Sequence, residues 1–83
     1  MFKITFKKSV AKDLKRISKD QVNKILDKIE INLSTAPEQY PELKGKFAGL
    51  RKFRVGNYRI IFAILEKGIV LITRIKHRKE SYK

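Results

Sequence analysis

Apolar and polar positions follow two different periods along this chain. Phe2-Lys-Ile-Thr-Phe6 alternates residue by residue, as a half-buried strand does. From Ser9 the period lengthens. Val10, Leu14 and Ile17 recur at i, i+4, i+7, with Ser9 as the expected N-cap of a helix. Ser18 and Gln21 carry capping-box spacing, and Val22, Ile25, Leu26, Ile29 and Leu33 form one stripe of a second helix. Lys12, Lys15, Lys19, Lys24 and Lys28 face mostly outward and read as solvated positions. Pro37 disfavours helical geometry at Ala36, so this helix is expected to stop near Ser34-Thr-Ala-Pro37. A connection then runs to Ala48 through Pro41 and Gly45, long for a compact domain, and such loops are often functional.

Strict alternation returns at Leu50-Arg-Lys-Phe-Arg-Val55 and at Tyr58-Arg-Ile-Ile-Phe-Ala-Ile-Leu65. Gly56-Asn57 between them suits a two-residue type II′ hairpin turn. That turn predicts a register: Val55 opposite Tyr58, Arg54 opposite Arg59, Phe53 opposite Ile60, Lys52 opposite Ile61. Side chains alternate faces, so Phe53, Val55, Tyr58 and Ile60 take one side and Lys52, Arg54 and Arg59 the other. Two arginines directly opposite each other repel, a cost that a polyanion on that face would remove. A last strand, Ile69–Ile75, is entered through Glu66-Lys-Gly68. With Gly68 as a bulge, Arg74 falls on the face opposite Arg59; with a simple two-residue turn it falls on the same face. The order is β-α-α-β-β-β over residues 1–83: one α+β domain, an antiparallel sheet with an N-terminal helical hairpin packed on one face.

Composition narrows the function. At 83 residues and 42% hydrophobic, the chain has room for one small core. It has no cysteine, which excludes disulfides, thiol nucleophiles and cysteine-ligated metals. No stretch is long and apolar enough to cross a membrane, and the N-terminus lacks a signal-peptide pattern. A cytoplasmic location is expected. The net charge of +13 exceeds what solubility needs and predicts attraction to nucleic acid. It is also uneven: no acidic residue lies between Glu42 and Glu66, while Lys44, Lys46, Arg51, Lys52, Arg54 and Arg59 are all basic. That segment is not an amphipathic helix, which argues against an anionic membrane surface. Gly45-Lys-Phe-Ala-Gly49 lacks the spacing of a phosphate-binding loop.

Gly49-Leu-Arg-Lys-Phe-Arg-Val-Gly-Asn-Tyr-Arg-Ile-Ile-Phe62 and Arg74-Ile-Lys-His-Arg-Lys-Glu-Ser-Tyr82 resemble the RelE branch of the RelE/ParE toxin superfamily. Lys76 stands where relatives often have glycine. The resemblance implies the toxin of a type II toxin–antitoxin system, an endoribonuclease that cleaves messenger RNA, commonly in the ribosomal A site. It also implies an acidic antitoxin encoded alongside, forming a hetero-oligomer with the toxin. Carried over by position, the family's functional residues fall on Lys52, Arg54, Arg59, Arg78 and Tyr82. His77 is the candidate where relatives use a C-terminal histidine as acid or base. Lys44, Lys46, Arg51, Arg74, Lys76 and Lys79 are expected to contact RNA. The gyrase-inhibiting ParE branch shares the fold and generally lacks the C-terminal arginine–tyrosine pair. An inactive RNA- or ribosome-binding module is a third reading.

The chemistry expected of such a site uses neither cofactor nor metal. The 2′-hydroxyl of RNA attacks the adjacent phosphorus, which needs a proton acceptor, a proton donor and charge stabilisation. A single histidine excludes a paired-histidine nuclease, and no metal-ligand spacing is legible. Arginine's planar fork suits phosphate oxygens, which assigns Arg59 and Arg78 to the phosphate. Arginine stays protonated and is a poor base, so Lys52 is the candidate acceptor. Tyr82 is assigned to stacking on a base, orienting the 2′-hydroxyl or joining proton transfer.

Overall fold

The two periods become a four-stranded sheet with two helices. The structure, a computed structural model, describes residues 1–79. Its elements are β1 (Lys3–Phe6), α1 (Lys8–Lys15), α2 (Lys19–Leu33), β2 (Leu50–Val55), β3 (Tyr58–Leu65) and β4 (Ile69–His77), with short 3₁₀ turns at Pro37–Gln39, Gly45–Phe47 and Glu66–Gly68. The sheet order is β1-β4-β3-β2. Neither helix is long and apolar enough to cross a membrane.

The β2–β3 hairpin has the register its turn predicts: Val55 opposite Tyr58, Arg54 opposite Arg59, Phe53 opposite Ile60 and Lys52 opposite Ile61. Gly56 turns the chain at φ 57°, a left-handed conformation that glycine adopts without a Cβ clash. Phe53, Ile60 and Phe62 are buried on the helix side, where Ile25, Ile29 and Leu33 of α2 and Val10 of α1 meet them. The apolar stripe of α2 is therefore its core face. Ser18 caps α2, its hydroxyl accepting a long hydrogen bond from Gln21 N–H at 3.5 Å.

Two expectations are corrected, and the open question of the Arg74 face is decided. The sheet is mixed: β1 runs parallel to β4, with Ile4 beside Val70 and Phe6 beside Ile72. A parallel neighbour needs a crossover, and the two helices and the hairpin supply it. Ser9 is not the cap of α1. Lys7 holds that position without a side-chain bond, and the Ser9 hydroxyl instead donates to Thr73 O at 2.7 Å. Finally, β4 contains a bulge at Thr73. Leu65 faces Ile69 across a loop with Gly68 at φ 71°, and unbroken alternation from there would put Arg74 on the core side. The register slips between Ile61 and Phe62, so Ile72 and Ile75 are both buried and Arg74 returns to the face of Arg59.

Past the bulge β4 has no strand on one side among the described residues, because β1 pairs only with residues 69–72. Helix α1 covers that edge. Ser9 and Asp13, four apart and so on one helix face, satisfy successive edge groups: Ser9 takes Thr73 O, and Asp13 Oδ2 accepts from Ile75 N–H at 2.9 Å. Asp13 also receives both arms of Arg74, Nε and Nη2, each at 2.9 Å. Burial pushes the Asp13 carboxyl up. The hydrogen bonds from Arg74 and Ile75 and the charges of Arg74 and Lys76 more than offset this, and its pKa lies below the ordinary value.

A depressed folded pKa stabilises the fold at pH values above the unfolded carboxylate's titration, and the contribution disappears as pH falls through the folded value. Asp13→Asn is expected to cost about 1.5 kcal/mol. That is the low end for charged hydrogen bonds, because the Arg74 side chain is 44% exposed and solvent screens the pair. Urea unfolding at pH 7 and pH 3 checks this. The gap between wild type and variant narrows at acid pH if Asp13 acts as described. A constant gap contradicts the ionic account.

Candidate nucleic-acid interface

Because helices cover one side of the sheet, alternation alone decides which cations reach the open side. Arg54 lies opposite Arg59, and Arg59 lies opposite Lys76, so three cations form a row across β2, β3 and β4. Directly opposed side chains begin about 5 Å apart. The next row is Lys52, Ile61 and Arg74. Arg54 is exposed, and Lys52, Arg59 and Lys76 are half-buried. Arg78 follows directly after β4, and its N–H donates to Asn57 O of the hairpin turn at 2.7 Å, which ties its backbone to the same end of the sheet.

Residues 4–82 match the family described as the ParE toxin of the type II toxin-antitoxin system, parDE. The chain belongs to that family, within the RelE/ParE superfamily. Among solved structures it is similar to the toxin–antitoxin complex RelBE2 from Mycobacterium tuberculosis, at 24% identity and TM-score 0.79, over 93% of this chain and 98% of that one. It is similar to the RelB–RelE antitoxin–toxin complex from Methanococcus jannaschii, at 26% identity and TM-score 0.61, over 93% of each chain. It is also similar to YafQ from Escherichia coli, at 18% identity and TM-score 0.65, over the whole of both chains. No curated protein matches.

The toxin fold does not gather every candidate cation. Arg51 lies on the opposite side of β2 from Lys52 and is a tether: its Nη1 donates to Tyr40 O at 2.7 Å and to Glu38 O at 3.2 Å, and its Nη2 lies 3.8 Å from Glu42. Arg74 shares the open face, but Asp13 engages its guanidinium. Both are candidate RNA contacts that also hold structure. Lys44 and Lys46 precede β2, and Lys79 follows β4; all three are exposed outside the rows. Lys46 Nζ stands 5.4 Å from the Phe47 ring centroid. His77 lies opposite Tyr58, on the side away from Arg59, with the rings 5.3 Å apart and edge-on at 89°. Its Nδ1 accepts from Lys79 N–H at 3.2 Å. Tyr82 falls outside the described residues. Among the described residues no group of histidine, aspartate and glutamate side chains gathers at metal-binding distances.

Two residues that no pattern in the chain singles out border the cations. Tyr40 and Pro41 line a groove of about 400 Å³ together with Lys52, Phe53, Arg54 and Arg59. Their only signal was membership of the long connection.

Arg54 makes no ion pair among the described residues, and it faces Arg59 directly. Arg54→Ala is therefore expected to leave the toxin's melting temperature unchanged or to raise it at low salt, by relieving like-charge repulsion. Added salt should shrink the difference. A clear fall in melting temperature at low salt would show that Arg54 is structurally paired.

Proposed function

We propose that this toxin is an endoribonuclease that cleaves messenger RNA in the ribosomal A site. The observation that carries the reading is the row Arg54, Arg59, Lys76 with Lys52 beside it, on the face away from α1 and α2. Cations held on a rigid sheet need no rearrangement to stabilise charge as it develops on a phosphorane. In the proposed reaction the 2′-oxygen bonds to the adjacent phosphorus and its proton passes to Lys52. The bond from phosphorus to the 5′-oxygen breaks, and that oxygen takes up a proton. The products are a 2′,3′-cyclic phosphate and a 5′-hydroxyl. Arg59 and Arg78 hold the phosphate, and Tyr82 orients or stacks on the nucleotide. None of these steps calls on a metal. The ribosome would present the strand in line, which a flat, open site does not do alone.

The partner that would silence the toxin is an acidic antitoxin. The Mycobacterium tuberculosis and Methanococcus jannaschii structures are toxin–antitoxin complexes, and a +13 chain attracts an acidic polypeptide. The family description favours a second reading, a ParE-like inhibitor of DNA gyrase that binds without cleaving. Adding purified toxin separately to ribosomes programmed with a defined message and to a gyrase supercoiling reaction tests both. Message cut at the A-site codon with supercoiling intact supports the nuclease. Blocked supercoiling with intact message supports the inhibitor.

A further inference from the structure

β2 is an edge strand, and only its first half is covered. Leu43 N–H donates to Leu50 O at 2.8 Å, and Lys52 N–H donates to Pro41 O at 3.2 Å. Backbone groups of alternate residues point away from the partner strand, so those of Arg54 face outward like those of Lys52. The bridge between Glu42 and Arg51 sets the register, in which Gln39 would come next, opposite Arg54. Residues 37–39 instead curl into a 3₁₀ turn, and the Gln39 N–H bonds Ala36 O at 3.4 Å. The covering chain therefore leaves the edge at Tyr40–Pro41. The groove of about 400 Å³ opens there.

Its lining mixes two chemistries, combining Lys52, Arg54 and Arg59 with Tyr40, Pro41 and Phe53. Tyr40 is held in place. Tyr40 packs edge-on against Phe53, with centroids 4.9 Å apart, and against Phe62 at 6.4 Å, while Arg51 holds its carbonyl. The Tyr40 hydroxyl has no hydrogen bond among the described residues. The free edge ends at the Gly56 turn, too short for an added peptide strand. Cations and an aromatic residue lining one groove at the strand edge fit a nucleotide, and the volume suits a small ligand.

We infer that this groove is a subsite for one nucleotide unit of the RNA, its phosphate on Arg54 and Arg59 and its base against Tyr40 and Pro41. The inference rests on the RNA reading above, and it makes Tyr40 a binding residue and Arg51 the positioning residue behind it.

The test is an NMR titration of the full chain with adenosine 3′-monophosphate and, separately, with inorganic phosphate. Neither probe has a bond to cleave, so the outcome is independent of nuclease activity. Both should shift signals of Arg54 and Arg59, and only the nucleotide should shift the Tyr40 ring protons. Tyr40→Leu keeps an apolar side chain against Phe53. It should weaken nucleotide binding about five- to tenfold and leave phosphate binding unchanged. Tyr40→Phe, which keeps the ring, should bind nucleotide as the wild type does. Equal affinity for nucleotide and phosphate with the Tyr40 ring unmoved would overturn the subsite. So would saturation of the groove by an acidic peptide with no response to nucleotide. The wild-type comparison decides the matter even if Tyr40→Leu fails to fold.

Discussion

Replacing Arg78 with alanine is expected to lower messenger RNA cleavage by about 10²–10³-fold, the usual effect of removing one preorganised stabiliser of developing charge. Arg78 is exposed and lies just past the end of β4, so its side chain is not part of the core. Its backbone N–H donates to Asn57 O of the hairpin turn, a bond that alanine keeps. The variant should fold and cut poorly, and its melting temperature reads what the side chain adds to stability. Single-turnover cleavage on programmed ribosomes separates the two effects. A folded Arg78→Ala protein that cuts at the wild-type rate would remove Arg78 from the mechanism.

The largest effect on stability is expected from Phe62→Ala. Phe62 is fully buried, opposite Arg51 on one side and Ile72 on the other, at the point where the register of β3 and β4 slips. Truncating a buried phenylalanine costs about 3–5 kcal/mol through lost transfer energy and the cavity left behind. A small domain has roughly 5–15 kcal/mol in total, so the variant should be near the limit of folding. The Tyr40 ring also leans on Phe62, so the loop wall beside the cations should loosen with the core. Urea denaturation measures this directly. A loss below about 1 kcal/mol would mean that the core around Phe62 collapses to fill the space.

The hairpin was readable because its information is local. Gly56-Asn57 fixes a register, and period-two alternation then assigns every side chain of β2 and β3 to a face. Arg54 and Arg59 follow without knowledge of anything else in the fold. The places where local reasoning stopped are all long-range. Nothing near Phe2–Phe6 says that it will lie parallel to β4 rather than pair with another strand. The bulge at Thr73 left a trace in the three-residue step between Ile72 and Ile75, but alternation with one extra residue reads the same as a change of turn. Arg74 and Arg51 look like any other cations in a basic chain. Their partners are Asp13, 61 residues away, and carbonyls in the Glu38–Tyr40 segment, which only the folded chain brings near. Asp13 carries no local signal that sets it apart. It turned out to close the edge of β4. The same limit hid Tyr40 and Pro41, whose place beside Lys52 depends on where the connecting chain leaves the edge of β2.

The central claim is cleavage of translated messenger RNA at the cationic face. The most direct measurement is mapping 5′ ends of cellular RNA after brief induction of the toxin, with Arg59→Ala and Arg78→Ala as controls. The account predicts new ends inside reading frames, carrying 5′-hydroxyls, that are absent from untranslated regions and strongly reduced in both variants. DNA breaks without new RNA ends, or RNA ends equally abundant in both folded variants, would contradict it.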